Sequence, residues 1–162
     1  MYEQFLKKLK VLIMNNKNYT VTFKELMGAL DVAEKKAATQ EVREEVVEMV
    51  KSMLHPANAV LTLGASDVRG CFLDGDIQVI DISVDAAKED RMKTLLEQAT
   101  EFARGHEPCK HALAFVYDSE REPMSMEDFQ EFSKWLETSS EEIKWGMAKQ
   151  ACPEIRLTVM MQ

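Results

Sequence analysis

Long apolar runs are missing from this sequence; none approaches the ~18 residues that a membrane-spanning helix needs. The N-terminal residues Met1-Tyr2-Glu3-Gln4-Phe5 show no secretory pattern. Cysteine is scarce: Cys71, Cys109 and Cys152 are odd in number and irregular in spacing, so no disulfide framework is expected and a reducing, cytoplasmic setting is. Glycine is scarce too. Its six positions (28, 64, 70, 75, 105 and 146) never fall two within three residues, which leaves no backbone cradle for phosphates and no bound nucleotide or other cofactor to expect. Positive charge is in deficit, with 20 Lys+Arg against 28 Asp+Glu, and this argues against a nucleic-acid surface. There is no internal repeat, no low-complexity tract and no Gly/Ser/Pro linker.

What remains is a chain of 162 residues, 46% apolar and 30% charged, values that suit a folded domain with a real core. Its net charge of −8 is unevenly spread. Residues 118–142 carry nine acids against two bases, whereas residues 1–18 carry four lysines against one acid. The acidic stretch reads first as a solvated helix face with its flanks, and second as a docking surface for a basic partner.

Periodicity supplies the elements. Phe5, Leu9, Leu12 and Ile13 make one stripe of a helix over 2–14. A second helix begins at Phe23, capped by Thr22 with Glu25 at the box position. A third, capped by Thr39, repeats Val42, Val46, Val50 and Met53 until Pro56. Ala59–Leu63 is a short apolar run. Cys71–Leu73 and Ile77–Ile82 flank Asp74-Gly75-Asp76, a hairpin signal. Met92, Leu95, Leu96, Ala99, Phe102 and Ala103 stripe a helix within 85–104 that Gly105 stops. Ala112–Tyr117 is an apolar run suited to a strand covered on both faces. Ser125 caps a helix to about 137, with Asp128 at its box position. Two alternating segments, 143–147 and 155–161, complete the chain as half-buried strands. The expected fold is α+β: a two-layer sandwich with a mixed sheet of four to five strands and helices packed on it, plus an N-terminal helical segment. That segment spans 1–58, and the α+β domain spans 59–162.

Several pieces of the second part, in order, resemble the C-terminal domain of the FtsZ/tubulin family. They are Glu89-Asp90-Arg91 at a helix start, Lys110–Phe115 as a central strand, and Met126-Glu127-Asp128-Phe129 opening the next helix. Ile143-Lys144-Trp145-Gly146 follows as a strand with a glycine, and Glu154–Val159 as the last strand. The resemblance extends backwards. Helix 2–14 is similar to the family's core helix, and 20–25 falls where the family has its synergy loop, Asn-x-Asp-Phe-x-Asp. Thr20 stands for the Asn and Thr22 for the first Asp, and only Glu25 keeps a carboxylate. A threonine cannot act as the carboxylate base that activates water. The family's GTP-binding domain has no counterpart in the chain.

Three readings follow. The first is a cytoplasmic, non-enzymatic protein–protein interaction domain, self-associating or binding a filament-forming GTPase, without nucleic acid, membrane or nucleotide. Its contact candidates are Thr20, Thr22, Glu25, Glu127, Asp128 and Glu131. The second is a fragment of a longer tubulin-like GTPase. The third is a small metal-dependent enzyme using His106, Cys109 and His111; their spacing matches no usual zinc pattern, and an edge-packed Cys109 in a loop is the plainer account. Asp74, Asp76 and Asp81 read as turn chemistry. Met124-x-Met126 and Met160-Met161 are either core filler or an adaptable contact surface.

Overall fold

The computed structural model describes residues 2–3, 16–38, 40–103 and 109–162. Apart from Tyr2 and Glu3, the helix expected over 2–14 lies outside the described residues, as do the Thr39 cap and the Gly105 stop. The elements are β1 (Lys17–Thr22), α1 (Phe23–Ala33), α2 (Glu44–Leu54), β2 (Asn58–Leu61), α3 (Ala65–Cys71), β3 (Asp76–Asp85), α4 (Arg91–Phe102), β4 (Cys109–Ser119), α5 (Met126–Ser139), β5 (Ser140–Gln150) and β6 (Glu154–Met161). Among the described residues no helix is long and apolar enough to cross a membrane.

The strands form one mixed sheet in the order β1-β3-β6-β4-β5-β2. Only β4 and β5 run parallel; every other neighbouring pair is antiparallel. A parallel pair needs a crossover, and α5 supplies it between the two strands. Successive residues of a strand point to opposite faces, and β4 shows both. Leu113, Phe115 and Tyr117 pack with Leu26, Leu30, Val46, Val50 and Met53 of α1 and α2. Ala112, Ala114 and Val116 pack with Met92, Leu95 and Ala99 of α4 and Phe132 and Leu136 of α5. The fold is therefore α+β as expected, with helices packed on a mixed sheet. The sheet has six strands, not four or five, and its helices cover both faces.

Local chemistry explains most boundaries. Thr22 caps α1, its hydroxyl accepting from the Glu25 amide at 3.1 Å. Ser125 and Asp128 form a complete capping box on α5, at 3.1 and 2.8 Å. Two elements depart from the sequence reading. The stretch before Gly75 is not a strand: Ala65–Cys71 is α3, with Val68 and Cys71 buried and the Asp67 carboxylate accepting the Gly64 amide at 2.8 Å. Gly75 keeps its turn role, at φ +137°, but between a helix and β3. The strand paired with the start of β3 is β1, which the polar run around Asn15–Asn18 masks in the sequence. Its Tyr19 and Val21 face the α1/α2 core.

Gly146 on β5 is a close approach. A Cβ there would lie 2.8 Å from Phe115 Cε2, 2.9 Å from the Leu61 carbonyl oxygen and 2.9 Å from Leu63 Cγ. Phe115 is fully buried and Leu61 offers backbone, so neither yields easily. Gly146→Ala is expected to cost about 1–3 kcal/mol by overpacking, read as a lowered urea midpoint at unchanged m-value.

Candidate functional site

On the α1/α2 face the sheet changes character along its length. Ile77 and Val79 of β3 lie under the helices, but the next residues on that face are Asp81 and Ser83. Arg156 of β6 sits opposite Ser83 on one side and Tyr117 of β4 on the other. From there its guanidinium reaches diagonally to Asp81, Nε and Nη2 donating to the two carboxylate oxygens at 2.7 and 2.6 Å. Such a fork is planar and charge-assisted, among the strongest polar contacts a protein makes. The same guanidinium lies 4.8 Å from the Tyr117 ring centroid, a favourable cation–π distance. The Tyr117 hydroxyl shares a 2.7 Å hydrogen bond with Ser52 of α2, and the Tyr19 hydroxyl donates to the Met49 sulfur at 3.4 Å.

Two adjoining recesses open over this cluster. One, about 520 Å³, is bounded by Lys17, Tyr19, Glu44, Glu48, Ser52 and Asp81. The other, about 310 Å³, is bounded by Lys17, Ser83, Gln150, Cys152, Glu154 and Arg156. Burial, with Asp81 nearby, pushes the Tyr19 phenol up to about 12. Burial likewise raises Tyr117, although its bond to Ser52 pulls the other way. Both phenols therefore stay protonated near neutrality. They hold and orient; they do not take protons. Asp81 and Arg156 are spent on each other.

Thr20, Thr22 and Glu25 come together at the start of α1 around Arg43. The Glu25 carboxylate accepts from Arg43 Nε at 2.9 Å and Nη2 at 2.7 Å, and from the Arg43 amide at 3.2 Å. Arg43 Nη2 also donates to the Thr20 carbonyl at 2.9 Å, and the guanidinium stands 5.6 Å from the Tyr19 ring centroid. The Arg43 hydrogen bonds hold the Glu25 carboxyl below its usual range against a smaller upward push from burial. This group of residues joins β1, α1 and the entry to α2, so Glu25 and Thr22 have structural partners. Thr20 is exposed as a side chain, while its carbonyl is engaged.

Glu127, Asp128 and Glu131 lie on α5, across the sheet from that cluster. The two contact surfaces suggested by the sequence are thus on opposite faces. Glu127 and Glu131 are exposed. Asp128 is not a free charge: besides the Ser125 amide it accepts from Arg91 Nη2 at 2.9 Å. Burial pushes its carboxyl up, but the Ser125 and Arg91 bonds outweigh this and hold it below the usual range. Arg91, only 7% exposed, also donates to the carbonyls of Ala86, Glu122 and Pro123. Of the methionines offered as a contact surface, Met126 is 74% exposed, while Met124, Met160 and Met161 are core.

Of the metal candidates, His106 lies outside the described residues. Cys109 is buried, its thiol donating to the His111 carbonyl at 2.9 Å and the Gln162 carbonyl at 3.3 Å. His111 Nδ1 lies 3.4 Å from the carboxylate of Glu142, its register partner on β5. Among the described residues no three His, Cys, Asp or Glu side chains are grouped to hold a metal ion.

The sequence reading passed over Tyr19, Ser52, Asp81, Tyr117 and Arg156 as a group. One signal was available: Asp81 and Ser83 continue, at every second position, the strand face that the apolar Ile77 and Val79 begin. Asp81→Asn is expected to leave the Arg156 guanidinium poorly paired and to cost about 1–3 kcal/mol, a range kept modest because Arg156 is a third exposed. Equilibrium urea unfolding reads it. Glu25 makes a second prediction. Its lowered folded-state pKa contributes stability that is full above the ordinary glutamate value and lost as pH falls through the folded value. Glu25→Gln is therefore expected to flatten the acid limb of a Tm–pH curve and to lower Tm at neutral pH.

No protein-family model matches the chain, and no curated protein matches it either.

Proposed function

We propose that this chain is a non-enzymatic, cytoplasmic protein–protein interaction domain of the type found at the C-terminal end of FtsZ/tubulin proteins. Its partner is a copy of itself or a filament-forming GTPase. Several observations support the reading. The pieces between residues 89 and 159 that resemble that family fall on one part of the fold: Lys110–Phe115 lies on the central strand β4, Met126 opens α5, and β5 and β6 flank β4. Arg156, in the last of the matching pieces, anchors Asp81. The single observation that carries most weight is Gly146. The resemblance asks for a glycine at that point of the strand, and the packing of Phe115, Leu61 and Leu63 leaves no room for a side chain there. Cys71, Cys109 and Cys152 are free thiols, in keeping with a reducing compartment.

The surface available to a partner includes the outer side of α5, where Glu127, Glu131 and Met126 are exposed while Asp128 is tied to Arg91. Sedimentation equilibrium of the chain alone, and co-pelleting with polymerised FtsZ or tubulin, test the proposal. Concentration-dependent assembly or co-pelleting is expected, with a Glu127→Lys/Glu131→Lys pair weakening it several-fold at unchanged Tm. A chain that stays monomeric and fails to co-pellet, or one that turns over GTP above background, would overturn it.

A further inference from the structure

The groove between α4 and α5 points to a partner of specific chemistry. We infer that it docks an amphipathic helix whose apolar stripe is flanked by lysine or arginine. The inference rests on the interaction-domain reading and gives that reading a surface and a partner class.

The two helices run side by side on one face of the sheet, and each spends one stripe on the core. Met92, Leu95 and Ala99 of α4 and Phe132 and Leu136 of α5 face inward. Trp135 does not. It lies in the outer seam, half-buried, its indole N–H donating to the Thr100 hydroxyl at 3.2 Å. Its ring stacks at 6.3 Å on Phe132, which is itself buried. The indole is thus held from below and from the side, and among the described residues its outer surface is uncovered. Leu96, Thr100, Trp135 and Thr138 floor a groove of about 500 Å³. Held aromatic anchors of this kind dominate protein–protein contacts.

The occupant's shape follows from the walls. Helix backbones satisfy their own hydrogen bonds, so an incoming β-strand would find no edge to pair with. A third helix can instead lay its side-chain ridge into the seam. The 12 residues of α4 give a seam of about 18 Å, three helical turns. The occupant's charge follows from the rim. Glu97, Glu101 and Glu131 border the apolar floor together with Lys93 and Lys134. A polar recess of about 290 Å³ continues the seam past Lys93 and Glu131 towards Glu89, Asp90 and Glu127. Over the groove and the recess together carboxylates outnumber cations, most strongly at the Glu89–Glu127 end, which favours a basic helix and disfavours an anionic bilayer or nucleic acid.

The probe is a synthetic Leu/Lys amphipathic helix of about 14 residues, roughly the length of the seam. Trp135 is the natural reporter once the other tryptophan is removed as Trp145→Phe. Expected are a saturable blue shift of Trp135 emission and a loss of affinity of at least ~10-fold in Glu97→Lys/Glu131→Lys, with circular dichroism unchanged. A Leu/Glu peptide and an oligolysine of the same length should bind far more weakly. If Trp145→Phe fails to fold, anisotropy of the labelled Leu/Lys peptide on the unaltered chain and on the charge-reversed pair decides the matter. Equal affinity for the charge-reversed pair, equal binding of the Leu/Glu peptide or oligolysine, or absence of Leu/Lys binding would overturn the inference. Self-assembly or co-pelleting that persists without peptide binding would overturn this inference alone, and loss of both would overturn the interaction reading as well.

Discussion

The structure depends on covering both faces of one strand. Within Cys109–Ser119 the run Ala112–Tyr117 is uninterruptedly apolar, so its side chains must be removed from water on both sides of the strand. Two helical layers do this, α1–α3 on one face and α4–α5 on the other. At about 25 cal/mol per Å² of apolar surface, burying such a strand on one face only would leave much of its stabilisation unrealised. The parallel pairing of β4 with β5 then forces the chain to cross over, and α5 is both that crossover and part of the second layer. The antiparallel insertion of β6 between β3 and β4 joins the last residues of the chain to the middle of the sheet.

Polar ties organise what burial leaves open. Four arginines each hold a carboxylate from another part of the chain: Arg43 with Glu25, Arg69 with Asp31 and Glu34, Arg91 with Asp128, and Arg156 with Asp81. Arg91 adds three carbonyls, closing the approach from β3 to α4 against the entry to α5. Arg suits this work because its planar fork makes two parallel bonds at once. One consequence is functional. Asp128 and Glu25, both contact candidates from the sequence, are engaged in such ties, and the exposed acids of α5 are Glu127, Glu131 and Glu137. Glu127 and Glu131 lie beside the α4/α5 seam.

Elements with strong local signals were readable. Thr22 and Ser125 cap the helices they were expected to cap, because a cap is a contact across three residues. Val46, Val50 and Met53 of α2 and Met92, Leu95, Leu96 and Ala99 of α4 are buried as their spacing implies, although α2 begins only at Glu44 and leaves Val42 outside it. β5 and β6 form as strands where their alternation put them, but β6 is not half-buried as expected: Thr158 and Met160 are buried as well as Ile155, Leu157 and Val159, because helices cover both faces of the sheet. The failures are non-local. Tyr19 and Val21 offered too short an alternation to announce β1, whose partner in β3 lies far along the chain. The Asp-Gly turn was real, yet what preceded it was α3, because Val68 and Cys71 bury as one helical face there. Asp81 read as turn chemistry because its partner, Arg156, is distant in sequence and arrives only when β6 inserts beside β3.

The sequence by itself determined the class: an acidic, glycine-poor α+β chain with one doubly covered strand, helices with identifiable starts and an acid-rich late helix. Those features are set by composition and by spacings of two to four residues, which local physics alone constrains. Only the tertiary structure decided which acids are free, that the two suspected contact surfaces lie on opposite faces, and that Trp135 is held in an open seam between α4 and α5. Each of these depends on which distant side chain arrives next to which, and that is fixed by strand order and layer packing, not by any pattern along the chain.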